Sequence, residues 1–321
     1  MKYLVSRTFM FRDMRPWGAD VLLQDETGYV DRRVAKLPKV FRKLGQPWYE
    51  FQFAVRTIWR SCGFDAIAVG RYGYWVSPLA SWLRLRKPVV LIDTEWRRAT
   101  GLLDRLVSKH AAAVVCNTHE EALRCAAATG LPREKFRVVL MPYVETEECK
   151  VEDRGFIFAG GSQSRDFQTL FRAIEGLPYK VKVLTPIKFA IVPINVELYS
   201  TASDEYHRTM AQASCVVVPL VPESMRITGT TTWISAMGLG KAVVVTEPNG
   251  AQDYMEQGIS GYICDYGDAE CIRARIVALM ENPELRARMG EAAKRRAFEE
   301  FSPEVYRRSI VDLLDRLTKR N

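Results

Sequence analysis

Ser214–Glu247 reads SCVVVPLVPESMRITGTTTWISAMGLGKAVVVTE. Two β-branched apolar runs, Cys215–Val218 and Ala242–Val245, flank a loop and a segment with helix-compatible residues that stops at Gly238 and Gly240. Short apolar runs joined through a helix are the signature of a parallel sheet with crossover helices. The helix, however, opens with Thr230, Thr231 and Thr232, which lose rotamer freedom in a helix and compete for its backbone groups. A helix start offers free N–H groups and the positive end of a dipole, so hydroxyls placed there suit a bound anion such as a diphosphate. Thr228 and Gly229 lead into that turn, and Arg226 lies just upstream to add charge. The competing reading makes Thr230 or Thr231 an N-cap and nothing more.

The same rhythm continues on both sides. In the first half MKYLVS, FDAIAVG, KPVVLID and AAAVVCN are short apolar runs between possible helices; in the second, FIFAGG, YKVKVLT and GYICDYG join the two runs above. MPYVETEECKVEDRG, residues 141–155, interrupts the pattern with a proline and acids and reads as a linker. The expectation is an α/β protein of two Rossmann-like doubly wound domains, 1–150 and 151–321, facing a central cleft. Val305, Ile310, Leu313, Leu314 and Leu317 share a helical face after Ser302, a cap for a C-terminal helix that can pack back on the first domain.

With 321 residues, 48% of them hydrophobic, the chain can bury two cores. No apolar run reaches the roughly 18 residues of a membrane span, and charges interrupt the first dozen positions, so a cytoplasmic location is expected. The seven cysteines are odd in number and lack a CxxC pair, which predicts buried, reduced thiols. The three histidines have no metal-pair spacing, so no metal is expected. Charge is unevenly divided: residues 1–150 hold 25 Lys+Arg against 16 Asp+Glu, and from totals of 46 and 38 the remainder holds 21 against 22. The excess therefore points the first half toward an anionic partner.

Three further segments bear on function. FIFAGGSQSRDFQTLFRAI, Phe156–Ile174, places Gly160, Gly161 and Ser162 between a strand and a helix, where backbone N–H groups approach an anion and Arg165 adds a charged fork; a plain tight turn with Arg165 paired to an acid is the alternative. VVVTEPNGAQDYMEQGISGYICDYGD, Val243–Asp268, can face the cleft, or can be scaffold with Gly250 supplying a positive φ. Residues 31–60 mix Arg32, Arg33, Lys36, Lys39, Arg42 and Lys43 with Trp48, Tyr49, Phe51, Phe53 and Trp59. Such a stretch suits an anionic membrane face, or packs its aromatics inward behind a solvated basic face. No nucleic-acid motif accompanies the charge.

From FIFAGG through SAMGLGKAVVVTE and GAQDYMEQGISGY to RMGEAAKRRAFEEFSPE, the second half resembles the nucleotide-binding domain of the retaining, two-Rossmann-domain glycosyltransferases, the group that includes sucrose synthases and phosphatidylinositol mannosyltransferases. The first half resembles their acceptor domain more faintly, in Leu106–Tyr143. The resemblance implies a nucleoside-diphosphate-sugar donor bound by the second domain and transfer to an acceptor held by the first, a glycan or a lipid-linked one, without metal or other cofactor. The family's donor arginine and lysine fall nearest Gly161 and Asp166, so Arg165 and Arg226 are the catalytic candidates here. Gly160, Gly161, Ser162, Thr228, Gly229, Thr230, Thr231 and Thr232 are the diphosphate-binding candidates. The family's paired glutamates fall on Ile227 and Ser235. Glu223 or Glu247 can substitute for one, and Ser235 can hydrogen-bond sugar or ribose. On the acceptor side the resemblance implies Gly18, and Thr94 beside Glu95 where the family has a histidine. A nucleotide-sugar-binding module without turnover, or a sugar-nucleotide epimerase, are the alternative functions.

Overall fold

The structure is a computed structural model that describes residues 1–7, 21–25, 35–36, 39–70, 73–92, 102–144, 149–200, 203–222, 229–247 and 249–319. In the first half, β1 (Tyr3–Arg7), β2 (Val21–Asp25), β3 (Ala66–Val69), β4 (Val89–Leu91), β5 (Ala113–Cys116) and β6 (Phe136–Val138) form one sheet ordered β2-β1-β3-β4-β5-β6. Every neighbouring pair is parallel. Helices α1 (Lys39–Arg60), α2 (Val76–Trp82), α3 (Leu102–His110) and α4 (His119–Thr129) make crossovers. Because β3, β4 and β5 are buried on both faces, they carry continuous Ala, Val, Ile, Leu and Cys rather than an alternation. Local chemistry sets the ends of α4: the Thr118 hydroxyl accepts from the Glu121 amide at 3.0 Å, and Gly130 takes a left-handed conformation at the other end.

The second half repeats the scheme with β7 (Phe156–Gly160), α5 (Phe167–Ile174), β8 (Lys180–Leu184), β9 (Val196–Tyr199), α6 (Ser203–Ala211), β10 (Cys215–Val218), α7 (Thr230–Gly238), β11 (Ala242–Val245), β12 (Tyr262–Ile263), α8 (Ala269–Glu281) and α9 (Pro283–Glu300). Its sheet, again all parallel, is ordered β12-β11-β10-β7-β8-β9. Counted from β7 this is the 3-2-1-4-5-6 order of dinucleotide-binding domains, and the order reverses between β7 and β10. Phe167, Leu170, Phe171 and Ile174 of α5 join Val181, Val217, Val244 and Ile276 in its core. The last described helix is α10 (Pro303–Thr318), which the Ser302 hydroxyl begins by accepting from the Val305 amide at 3.3 Å.

The units divide at places other than residue 150. Met1–Val139 together with Tyr306–Asn321 form one, and Leu140–Val305 the other. Residues 140–144 belong to the second unit because the Met141 amide donates to the Tyr254 hydroxyl at 2.8 Å and the Tyr143 ring packs on Phe298. Tyr306, Ile310 and Leu314 of α10 are buried among Tyr3, Val5, Ala68 and Val90, so the C-terminal helix completes the first core, as its apolar face required. The cysteine expectation needs correction too. Cys264 and Cys271, with Cα atoms 6.0 Å apart, form a disulfide, brought together as Asp268 caps α8 by accepting from the Cys271 amide. Cys62 is exposed and Cys149 half-buried, whereas Cys116, Cys125 and Cys215 are the expected buried thiols.

Candidate functional site

At the reversal point of the second sheet, β7 ends on Gly160 and the chain leaves through Gly161, whose φ of +108° suits glycine. Ser162 and Gln163 are exposed. The chain then returns against the end of β10: Arg165 and Leu220 form an antiparallel bridge, the Asp166 amide donates to the Pro219 carbonyl at 3.0 Å, and the Val221 amide to the Ser164 carbonyl at 3.1 Å. Two backbone anchors therefore fix the base of Arg165. Asp166 is committed elsewhere, its carboxylate capping α5 by accepting from the Thr169 amide and hydroxyl at 3.0 and 2.6 Å.

The Arg165 side chain folds back over the turn it closes. Its Nε donates to the Gly160 carbonyl at 2.7 Å, Nη1 to the Gln163 carbonyl at 2.7 Å and Nη2 to the Thr232 hydroxyl at 3.0 Å. Tyr206 reaches the same hydroxyl at 3.0 Å, while its ring stands edge-on to Phe158. No carboxylate among the described residues pairs with Arg165, so the acid-paired alternative does not apply to them. A guanidinium has five N–H donors; three make these bonds, and the Tyr206 phenol also interacts with the group. Burial lowers the Arg165 pKa and raises that of the Tyr206 phenol, a desolvation effect that also strengthens any charge–charge contact made there. Glycines provide the room: a Cβ on Gly161 would lie 2.4 Å from Nη2, and one on Gly229 2.9 Å from Nη1.

The helix α7 starts beside this cation. Its N-cap is Gly229, left-handed at φ +74°, which has no side chain with which to cap the end. The N-cap alternative for Thr230 or Thr231 is thus not realised, and the three threonines separate in role. Thr232, buried, is the anchor for Arg165; Thr230 is buried beside it; Thr231 is exposed. A helix start with glycine as its N-cap and an arginine that has no carboxylate partner among the described residues, held at the carboxyl ends of β7 and β10, form a place where negative oxygen is stabilised by N–H dipoles and charge together.

Other candidates are placed differently. Ser235 is 1% exposed and its hydroxyl accepts from the Val144 amide at 3.3 Å, so it faces the interior of the unit. Glu247, just past β11, is 2% exposed; its carboxylate accepts from the Asn249 amide at 3.1 Å and from the Tyr266 hydroxyl. Gly250 has φ −149°, so a positive φ is not its role. Gly18, Thr94, Glu95, Glu223, Arg226 and Thr228 lie outside the described residues. Sequence reasoning missed Tyr206 and Tyr266. Neither carries a local signal, since each acts on a residue brought to it by the sheet order.

Residues 152–296 match the family model of glycosyl transferases group 1. They form a group 1 glycosyltransferase domain. This group 1 domain includes β7 through most of α9 and all the residues that surround Arg165. Over 71 residues the chain is 30% identical to N-acetyl-alpha-D-glucosaminyl L-malate synthase of Bacillus anthracis, a match that spans 22% of this chain and 19% of that protein. Among solved structures, HepE of Anabaena, in complex with UDP and glucose, is similar at a TM-score of 0.67 and 15% identity, covering 98% of this chain and 99% of that one. Sucrose-phosphate synthase from Thermosynechococcus elongatus is similar at a TM-score of 0.66 and 13% identity, covering 86% and 79%. These likenesses show the fold: two Rossmann-like domains, of which the second carries the group 1 domain.

Proposed function

We propose that the protein is a glycosyltransferase that moves a sugar from a nucleoside-diphosphate-sugar donor to a glycan or lipid-linked acceptor, with retention at the anomeric carbon and without metal. The observation that carries the reading is the Arg165 guanidinium, free of described carboxylates, held against the glycine-led start of α7. In the reaction the bond between the sugar's C1 and the β-phosphate oxygen breaks, and a bond from C1 to the acceptor oxygen forms. The departing oxygen gains charge as C1 leaves, and the Arg165 guanidinium with the amides of α7 stabilises it. Preorganised donors of this kind supply about 3–4 kcal/mol per donor at a developing oxyanion. That same phosphate oxygen takes the acceptor hydroxyl's proton, so no strong base is needed.

The relatives' ligands favour this reading: HepE was solved with UDP and glucose, and the synthase of Bacillus anthracis is named for a glucosaminyl product. We also propose Glu247, Glu223 and Ser235 as candidates for ribose or sugar contacts, Ser235 requiring release from Val144 to serve. Gly18, Thr94 and Glu95 remain the acceptor-side proposals, and residues 31–60 the proposed contact with an anionic membrane face from the cytoplasmic side. A panel of uridine, guanosine and thymidine diphosphate sugars tests the reading. Release of nucleoside diphosphate, with thermal stabilisation by the same donor, is expected. Stabilisation without turnover indicates a binding module, a changed sugar indicates an epimerase, and no stabilisation by any donor contradicts the reading.

A further inference from the structure

All strands of the first sheet run parallel, so the residues that precede them gather at one edge, together with the last turns of the helices that lead into them. That amino-terminal edge collects cations. Arg60 closes α1, Arg84 and Arg86 follow α2, Lys87 precedes β4, Lys109 sits in the last turn of α3, and Lys135 precedes β6. Asp65, Glu134 and Asp315, the last accepting from the Tyr3 hydroxyl at the start of β1, are acids described there. None of Arg60, Arg84, Arg86 and Lys87 has a carboxylate partner among the described residues. Helix C-termini favour nearby cations and explain part of the clustering, but not the second feature. Trp59 in the last turn of α1 and Trp82 at the end of α2 are each 78% exposed, with Leu83 exposed beside Trp82.

The two tryptophans stand near the ends of neighbouring helices. The Lys87 ammonium donates to the Ser61 carbonyl, which ties the turn after α2 to the end of α1, and Phe51 of α1 packs edge-on to Trp75 at the start of α2. Next to that turn, Leu85, Arg86, Lys87 and His110 line an open depression of about 400 Å³, large enough for a phosphate headgroup. Indole rings favour the boundary between hydrocarbon and water, where the ring is apolar-solvated and its N–H remains wet. No helix among the described residues is long and apolar enough to cross a membrane, so the face would lie on a bilayer.

We propose that this edge of the first unit docks on an anionic lipid bilayer, Trp59 and Trp82 entering the interface and the arginines meeting headgroup phosphates. The proposal rests on the membrane-contact part of the reading above and shifts its centre to a surface that includes Trp82 and Arg86, beyond residues 31–60. It does not depend on donor chemistry.

The full chain is mixed with phosphatidylcholine vesicles, with or without phosphatidylglycerol, at low and high salt, and the bound fraction is measured by sedimentation. Binding to the phosphatidylglycerol vesicles alone, weakened by salt, is expected. Arg86→Glu should weaken it by at least about fivefold, the contribution of one basic residue at such a surface. Trp59→Ser with Trp82→Ser should weaken it further, with the melting temperature unchanged because both side chains are exposed. Absence of binding to the anionic vesicles overturns the proposal. So does binding that the tryptophan and arginine variants leave intact, or a dimer in solution that the tryptophan variant returns to monomer, since a second copy would then cover the face. Nucleotide binding measured on the same samples keeps this outcome separate from the donor reading.

Discussion

Arg165 donates to the Thr232 hydroxyl at 3.0 Å across 67 positions of sequence. This contact ties the first turn of the second sheet to the start of α7, and it orients the guanidinium where β7 and β10 diverge. Thr232 shares its oxygen with Tyr206, so a three-residue network sets the direction in which the guanidinium points.

Tyr206→Phe removes one arm of that network while keeping the ring against Phe158. A neutral hydrogen bond is worth about 0.5–1.5 kcal/mol, so affinity for a nucleoside diphosphate should fall about 2- to 12-fold. Affinity for the bare nucleoside should not change. Titration calorimetry with both ligands checks the difference; an equal loss for both would show that Tyr206 serves the fold alone.

Gly290 lies inside α9, where glycine costs about 1 kcal/mol against alanine. Its reason is the neighbouring turn: a Cβ there would stand 2.2 Å from the Gly240 carbonyl oxygen, which is backbone and has no side-chain freedom with which to yield. Gly290→Ala should therefore destabilise the protein by about 1–3 kcal/mol, overpacking outweighing the helix-propensity gain. Chemical denaturation of the two proteins reads it directly. A more stable variant would mean the helix stands farther from the turn.

Lys241 is 5% exposed and its ammonium donates to the Glu152 and Ala213 carbonyls, at 2.5 and 2.8 Å, with no described carboxylate in contact. Burial lowers its pKa from 10.5 to about 8. Below pH 8 both folded and unfolded chains hold the proton, and the charge penalty is fully present. Between 8 and 10.5 the unfolded chain keeps a proton that the folded chain has released, so this residue's contribution to stability rises with pH. The wild type should gain stability across that window relative to Lys241→Met. Parallel melting curves of the pair against pH are the check, and a gap that stays constant would refute the depressed pKa.

How much was legible in the sequence follows from the range over which each signal acts. The strands β5, β7, β10 and β11 announce themselves because a strand buried on both faces needs an unbroken apolar run, and the threonines of α7 stand out because they oppose helix propensity. Ser302 and the Ile310–Leu314 spacing marked α10, yet nothing local showed that its core is Tyr3 and Val5. The boundary near residue 150 followed composition, whereas Met141 and Tyr143 are drawn into the second unit by Tyr254, Phe298 and Gly238, all distant in sequence. Arg165 was visible as a charge beside a glycine turn. Its partners were not, because Tyr206 and Thr232 meet only once β7 lies beside β10. Ser235 sat at a family position, but its inward orientation is set by packing of α7 against the chain at Val144.

The central claim is that Arg165 and the start of α7 hold the diphosphate of the donor. The direct measurement is calorimetric titration of wild type and Arg165→Gln with the uridine, guanosine and thymidine diphosphates and the matching monophosphates. A charge-assisted hydrogen bond contributes about 1.5–3 kcal/mol, so the best diphosphate should bind the variant about 10- to 150-fold more weakly, with the monophosphate far less affected. Equal diphosphate affinity in the two proteins would contradict the account.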